Sequence, residues 1–433
     1  MLLLTLICLL VLFIFLGMEI AWAIAVACLA YMVLADLGGD GIPYELLPQQ
    51  MLDGVDTFSL IAIPLFIFAG ELMSVTGVTE RLVRFALAYM GHIRGGLANV
   101  AVTTNFILSG VSGSAIADAA ATGTVTIPEM KKRGYPTDFA CAVVAASSTV
   151  GPIIPPSISF VLIASIANLS VGQLFLAGVV PGILMTVSML ALTYFISRQK
   201  GYPVEPRASW TERFDALGRA ALPLAAPLLI MRSITSGIAT PTEAAAVLVL
   251  YVLGLGVFVY RTMSWRVVIQ CAANAMLLSS IIMLTVGAAQ MFSWLAVYEQ
   301  FGEILTHSML QISRDVNVLL LIFNVLLLLL GTFMEPLPVM LVLVPITFPM
   351  FEALGVNQIQ LAVVMVINLI LGLLTPPVGL ILNVVAVIGR TEVAAVFRAS
   401  IPYLIILVAV MMLVTYVPAL SLWLPHWLMP VQG

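Results

Sequence analysis

Two short stretches combine small polar side chains with backbone that cannot stay helical. The first is Ser109-Gly-Val-Ser-Gly-Ser-Ala115, followed by Asp118. Glycine permits a tight reversal there, and small side chains let two limbs of a hairpin approach closely. Hydroxyls and turn carbonyls are hard oxygen donors suited to a small cation. A packing turn whose serines bond to nearby carbonyls would use the same residues without a ligand. The second stretch is Gly151-Pro-Ile-Ile-Pro-Pro-Ser157. Each proline removes an i→i−4 hydrogen bond and disfavours helix at the preceding residue, so three within five positions break the helix rather than kink it.

Both stretches recur 221 residues later. Gly110 falls on Gly331, Pro128 on Pro349, Gly134 on Gly355, Gly151 on Gly372, Pro155-Pro156 on Pro376-Pro377 and Pro181 on Pro402. The counterparts are Gly331-Thr-Phe-Met-Glu335 and Gly372-Leu-Leu-Thr-Pro-Pro-Val378. Each half therefore offers a hairpin tip facing a broken helix, and two pseudo-symmetric cation sites are expected. Carbonyl dipoles with few formal charges favour a monovalent ion over calcium, which collects carboxylates. Between the tips, half-helix N-termini could receive an anion. Ser112, Ser114, Asp118, Thr332, Glu335 and Ser157 are the candidates for facing it. Carboxylates within or beside spans also include Glu19, Glu71 and Glu243, and such groups are functional candidates. Helix N-termini account for Glu19 and Glu243 without chemistry.

The elements that must position these residues are set by composition. Of 433 residues, 62% are hydrophobic and 9% charged, with a mean hydropathy of +1.15. A soluble domain carries about 25% charged residues, so most of this surface must face lipid. Apolar segments fall near 1–16, 18–35, 57–76, 96–127, 138–165, 173–197, 219–235, 242–260, 267–290, 316–350, 358–387 and 400–423. The first lacks a basic leader region and reads as a retained span. The segments 96–127 and 316–350 are interrupted by glycine and polar residues and read as re-entrant hairpins.

Charge placement supports that reading. With the N-terminus outside and both interrupted segments as hairpins, one side holds Arg81, Arg84, Arg94, Lys131, Lys132, Arg133, Arg198, Lys200, Arg207, Arg213, Arg219, Arg261, Arg266, Arg390 and Arg398. These are fifteen of the seventeen basic residues, as the positive-inside rule requires. Only Arg232 and Arg314 fall elsewhere. The loop 36–56, with Asp36, Asp40, Glu45, Asp53 and Asp56 and no base, lies outside. The span 138–165 then runs outward and its partner 358–387 inward. The expected fold is an all-α polytopic membrane protein with an inverted repeat, two re-entrant hairpins and two broken helices. That architecture belongs to secondary transporters.

Other functions find no support. No GxxxxGK[ST] run or dinucleotide fingerprint is present, no Ser/His/Asp or HExxH arrangement suggests an enzyme, and nothing points to nucleic acid. Cys8, Cys28, Cys141 and Cys271 are scattered through apolar runs as packing residues. His92, His307 and His426 flank spans, far apart, and no cofactor is expected.

The chain resembles the large membrane subunit of TRAP (tripartite ATP-independent periplasmic) transporters. The resemblance is carried by Pro64-Leu-Phe-Ile-Phe-Ala-Gly-Glu-Leu-Met73, Gly91-His-Ile-Arg-Gly-Gly96, Ser109–Gly123, Gly151–Ser157, Thr240-Pro-Thr-Glu-Ala-Ala245 and Thr375-Pro-Pro-Val-Gly379. It implies an elevator, with scaffold spans and an arm helix in 1–95 and 198–315 and transport elements in 96–197 and 316–433. It implies sodium as coupling ion, bound at Ser109, Gly151, Ile154 and Pro156 in one site and at Gly331, Gly372, Thr375 and Val378 in the other. It further implies a bacterial inner-membrane location and a small organic anion as substrate, a carboxylate or sugar acid. The partners implied are a periplasmic binding protein and a small four-span membrane subunit, the latter expected as a separate chain. The rival is a self-sufficient sodium–carboxylate symporter of the same fold.

Overall fold

The computed structural model describes residues 2–39, 41–301, 304–305, 308, 311 and 313–429. Asp40 and His307 lie outside this set. Every regular element among the described residues is helical, and nine helices are long and apolar enough to cross a membrane.

Both interrupted segments are helical hairpins. The first pairs Gly96–Ser112 with Ala115–Lys132, and the second pairs Val316–Phe333 with Pro336–Ala353. The limbs run further than the apolar runs alone indicated, to Lys132 and Ala353. Both proline clusters break helices as expected. Thr137–Ser148 is separated from Ile158–Ala167, and Gln358–Gly372 from Leu380–Gly389. Adding 221 to the second limb of the first hairpin reproduces the bounds of its counterpart, 336–353.

Packing between the halves is reciprocal. The limb Ala115–Lys132 packs on Leu380–Gly389 of the other half, and the limb Pro336–Ala353 packs on Ile158–Ala167. Around this centre, Ile20–Leu37 packs on the long helix Trp265–Tyr298, and the helix Ala62–Val75 packs on Pro241–Gly254. Lipid supplies little hydrophobic drive between helices, so close backbone approach and hydrogen bonds must hold them. Glycines permit that approach. A Cβ on Gly287 would lie 2.8 Å from the Met51 carbonyl oxygen, and one on Gly54 would lie 2.5 Å from the Gln290 Cβ.

Local sequence starts several helices. Thr240 and Glu243 form a capping box at Pro241, and Ser209 and Glu212 form another at Trp210. Glu243 thus has the structural role its position suggested, satisfying helix N-terminal donors. Glu19 stands at the N-cap of Ile20–Leu37 but makes no side-chain cap bond. Two elements differ from the sequence reading. The outer loop 36–56 contains a helix, Leu46–Val55. The last apolar run is not one span: Val393–Tyr416 stops before Pro418, and Ala419–Leu428 follows.

Candidate functional site

The first hairpin turns at Gly113, whose φ of +61° favours glycine. Ser114 caps the second limb, accepting from the Ala117 N–H at 3.4 Å. Asp118, in the first turn of that limb, is fully buried. Its carboxylate faces back to the first limb, accepting from the Ser112 hydroxyl and, at 3.4 Å, from that of Ser109. Ser109 Oγ also lies 2.6 Å from the Asn105 carbonyl.

The first break meets this tip. A Cβ on Gly151 would lie 2.6 Å from Asp118 Oδ2 and 3.2 Å from the Ala115 nitrogen, and one on Gly113 would lie 2.9 Å from the Pro156 carbonyl oxygen. Ser109, Gly151 and Pro156 are therefore brought together, with Asp118 among them. The Ile154 side chain turns to Gly182 of the helix Val171–Lys200. Ser157 caps the second half-helix, accepting from the Phe160 N–H at 3.2 Å, while its own hydroxyl donates to the Pro152 carbonyl.

The second junction is tighter. A Cβ on Gly331 would lie 2.7 Å from the Leu369 carbonyl oxygen and 3.2 Å from Gly372 Cα. The Val378 N–H donates to the Thr332 carbonyl at 3.3 Å. The Thr375 hydroxyl donates to the Leu371 carbonyl at 3.2 Å, and that of Thr332 to the Leu329 carbonyl at 2.7 Å. All four residues of the second set thus lie where the tip meets the break. Asp118 has the apolar Val339 as its counterpart, so the two junctions differ in charge.

A cavity of about 530 Å³ lies between the tips. Ser112, Ser114, Asp118 and Glu335 line it, joined by Glu71 and Ser74 of the neighbouring helix Ala62–Val75. Glu335 and Ser114 are repeat counterparts, each the N-cap of its second limb. Thr332 and Ser157 are not among its lining residues. No lysine, arginine or histidine lines it among the described residues.

Buried amides behind the junctions were not singled out in the sequence. Asn105, its amide oriented by its neighbours, donates to Thr122 Oγ1 and accepts from Ser147 Oγ, each at 2.6 Å. Asn368 Nδ2 donates to Asn324 Oδ1 at 2.9 Å, and Asn324 Nδ2 to Thr415 Oγ1 at 3.0 Å. Asn368 is the repeat counterpart of Ser147, so in each half the first limb is bonded to the helix entering the break. Single asparagines inside long apolar runs were the available signal, since a buried amide needs partners.

Residues 7–420 match the family model of the tripartite ATP-independent periplasmic transporter, DctM component. The chain belongs to this family. The sialic acid TRAP transporter large permease protein SiaM of Vibrio cholerae is 39% identical over 412 residues, 95% of this chain and 96% of that protein. The C4-dicarboxylate large permease DctM of Pseudomonas aeruginosa is 38% identical, covering 88% and 89% of the two chains. The 2,3-diketo-L-gulonate large permease YiaN of Escherichia coli is 30% identical, covering 95% and 96%. The fold is also similar to that of two solved transporters. For YdaH of Alcanivorax borkumensis the TM-score is 0.59 at 16% identity, covering 88% of this chain and 89% of that one. For MtrF of Neisseria gonorrhoeae it is 0.56 at 13% identity, covering 86% and 83%. As a DctM-family member the chain is a multi-pass membrane permease and not an enzyme. The tips, breaks and cavity are the part of this permease where small polar groups converge.

Proposed function

We propose that this chain is the translocating subunit of a sodium-driven, binding-protein-dependent secondary transporter that imports a small organic anion across the bacterial inner membrane. The observation that carries the reading is the cavity bounded by both hairpin tips, each tip abutting a broken helix. The donor set suits sodium. At the first junction it comprises the Ser109 hydroxyl, the Asp118 carboxylate and backbone at Gly151, Ile154 and Pro156. At the second it comprises the Thr375 hydroxyl and backbone at Gly331, Gly372 and Val378. These are hard oxygen donors, few of them charged. Sodium bound there would also offset the cavity's carboxylates, which an anionic substrate would otherwise meet unscreened.

The relatives' names supply the substrate classes to test: sialic acid, C4-dicarboxylates and 2,3-diketo-L-gulonate. In this reading the hairpins and broken helices of 96–197 and 316–433 move as a transport domain against the scaffold of 1–95 and 198–315. The N-terminus is periplasmic, and a small membrane subunit and a periplasmic binding protein complete the system. The self-sufficient symporter is not favoured, because the matches to large permease proteins run nearly end to end.

The test is uptake of those three labelled anions into proteoliposomes holding this chain and a small membrane subunit of a TRAP transporter. Accumulation of one anion only with an inward sodium gradient and the cognate binding protein is expected. Equal accumulation without binding protein would establish the symporter instead. Accumulation unaffected by dissipating the sodium gradient would remove the proposed coupling.

A further inference from the structure

The first turns of the helix Trp210–Thr235 carry a guanidinium without an acid to face. Arg213 is only 7% exposed, and its Nε and Nη2 have no hydrogen-bond partner among the described residues. Both neighbouring carboxylates are committed elsewhere. Glu212 accepts from the Ser209 N–H at 2.7 Å and its hydroxyl at 2.9 Å, closing the capping box. Asp215 pairs with Arg219 at 2.9 Å. What surrounds Arg213 is aromatic: its Cζ lies 5.2 Å from the Trp210 ring centroid and 5.7 Å from that of Tyr89. Those faces attract a cation but cannot accept the fork of N–H bonds.

The adjoining surface is apolar and open. Trp210, Phe214 and Leu217 are 68%, 66% and 38% exposed. Their spacing puts them on one stripe of the helix. The Trp210 and Phe214 rings lie 6.3 Å apart. In a membrane permease, exposed tryptophan at the start of a span sits at headgroup depth with the acyl region below it.

We propose that Arg213, with Trp210 and Phe214, forms a binding site for the phosphate of an anionic phospholipid. The guanidinium fork matches phosphate oxygens bidentately, and the apolar stripe carries the start of an acyl chain. Free phosphate would gain nothing from that stripe. The site depends on this helix spanning the bilayer and not on the sodium-driven reading, so either can fail without the other.

Native mass spectrometry of the full chain, titrated with phosphatidylglycerol or with phosphatidylcholine of the same acyl composition, tests it. The wild-type protein is expected to take up one phosphatidylglycerol at about tenfold lower lipid concentration, the scale of a charged hydrogen bond. Arg213→Gln should abolish that preference, Arg213→Lys should restore part of it, and Trp210→Ala should weaken it. Arg266→Gln, at another helix start beside an exposed tryptophan, should leave it intact. If Arg213→Gln does not fold, the lysine and Trp210 variants still decide. Equal preference in every Arg213 and Trp210 variant overturns the site. Arg213-dependent binding of inorganic phosphate without any lipid preference overturns the lipid assignment. Loss of the small membrane subunit on Arg213→Gln, with lipid binding unchanged, would make the guanidinium a protein contact.

Discussion

Gly331 and Gly372 meet backbone to backbone: a Cβ on Gly372 would lie 2.5 Å from Gly331 Cα. No side chain can yield there, because the colliding atoms are main chain of the second tip and the second break. Gly372→Ala must push the tip away from the break. Overpacking of this kind costs about 1–3 kcal/mol, and it displaces the proposed cation donors together. The expected outcome is at least tenfold slower sodium-dependent uptake and a lowered melting temperature in detergent. Gly218→Ala is the control, since a Cβ there meets nothing within 4 Å. Wild-type uptake in Gly372→Ala would contradict the close approach.

At the first junction charge should matter more than shape. Asp118 is buried against Gly151, and its nearest donors are Ser112 and Ser109. Asp118→Asn keeps the volume and removes the negative charge. Charged hydrogen bonds contribute about 1.5–3 kcal/mol, so half-maximal activation should need about tenfold or more sodium. The readout is uptake against sodium concentration at fixed ionic strength, with expression and thermal stability as controls. An unchanged activation curve would make Asp118 a structural clasp for the tip.

Thr375 offers the one side-chain oxygen among the four residues proposed to hold sodium at the second junction. Thr375→Ala should weaken sodium dependence while sparing expression and membrane insertion, and Thr375→Ser should recover it. Val378→Ala should be nearly silent, because the observed bond uses its N–H, donated to Thr332. If alanine and serine behave alike at 375, the hydroxyl plays no part.

Hairpins, breaks and their order were legible because glycine and proline punctuate backbone independently of context. The 221-residue register was legible for the same reason, but not how its glycines pack: a Cβ on Gly151 would meet Ser114, Ala115 and Asp118 at the start of the second limb, whereas one on Gly372 would meet Gly331 at the end of the first. Asp118 was recognised as a candidate, but its contact with Gly151 was not, because that depends on how a tip packs on a break 33 residues away. The helix Leu46–Val55 was missed because Pro48, two glutamines and Asp53 interrupt its apolar pattern, and docking on Trp265–Tyr298 supplies what the pattern lacks. Ser157 has a local role that its place after a proline run did not reveal: it caps the helix that restarts after the break, accepting from the Phe160 N–H.

The two halves are also joined away from the cavity, and this contact can be tested by stability alone. Lys131, at the base of the first hairpin, donates to the Gly389 carbonyl at 2.9 Å. Gly389 ends the second half-helix of the opposite repeat, where carbonyls lack intrahelical partners and a cation complements the helix dipole. Cys141 Sγ, 3.3 Å from the Val385 carbonyl, holds the same end from the first broken helix. Lys131→Met keeps the aliphatic stem and removes the charge, so it should cost about 1–2 kcal/mol, seen as a lower melting temperature. The neighbouring Lys132 makes only an exposed 3.6 Å pair with Glu129, and Lys132→Met should lie within error of wild type. Lys131→Arg tests whether charge alone suffices, since its broader head must fit beside the helix end. Equal stability of Lys131→Met and Lys132→Met would show that this end is held by packing around Gly389, where Thr137 and Thr391 also lie close, rather than by the ammonium.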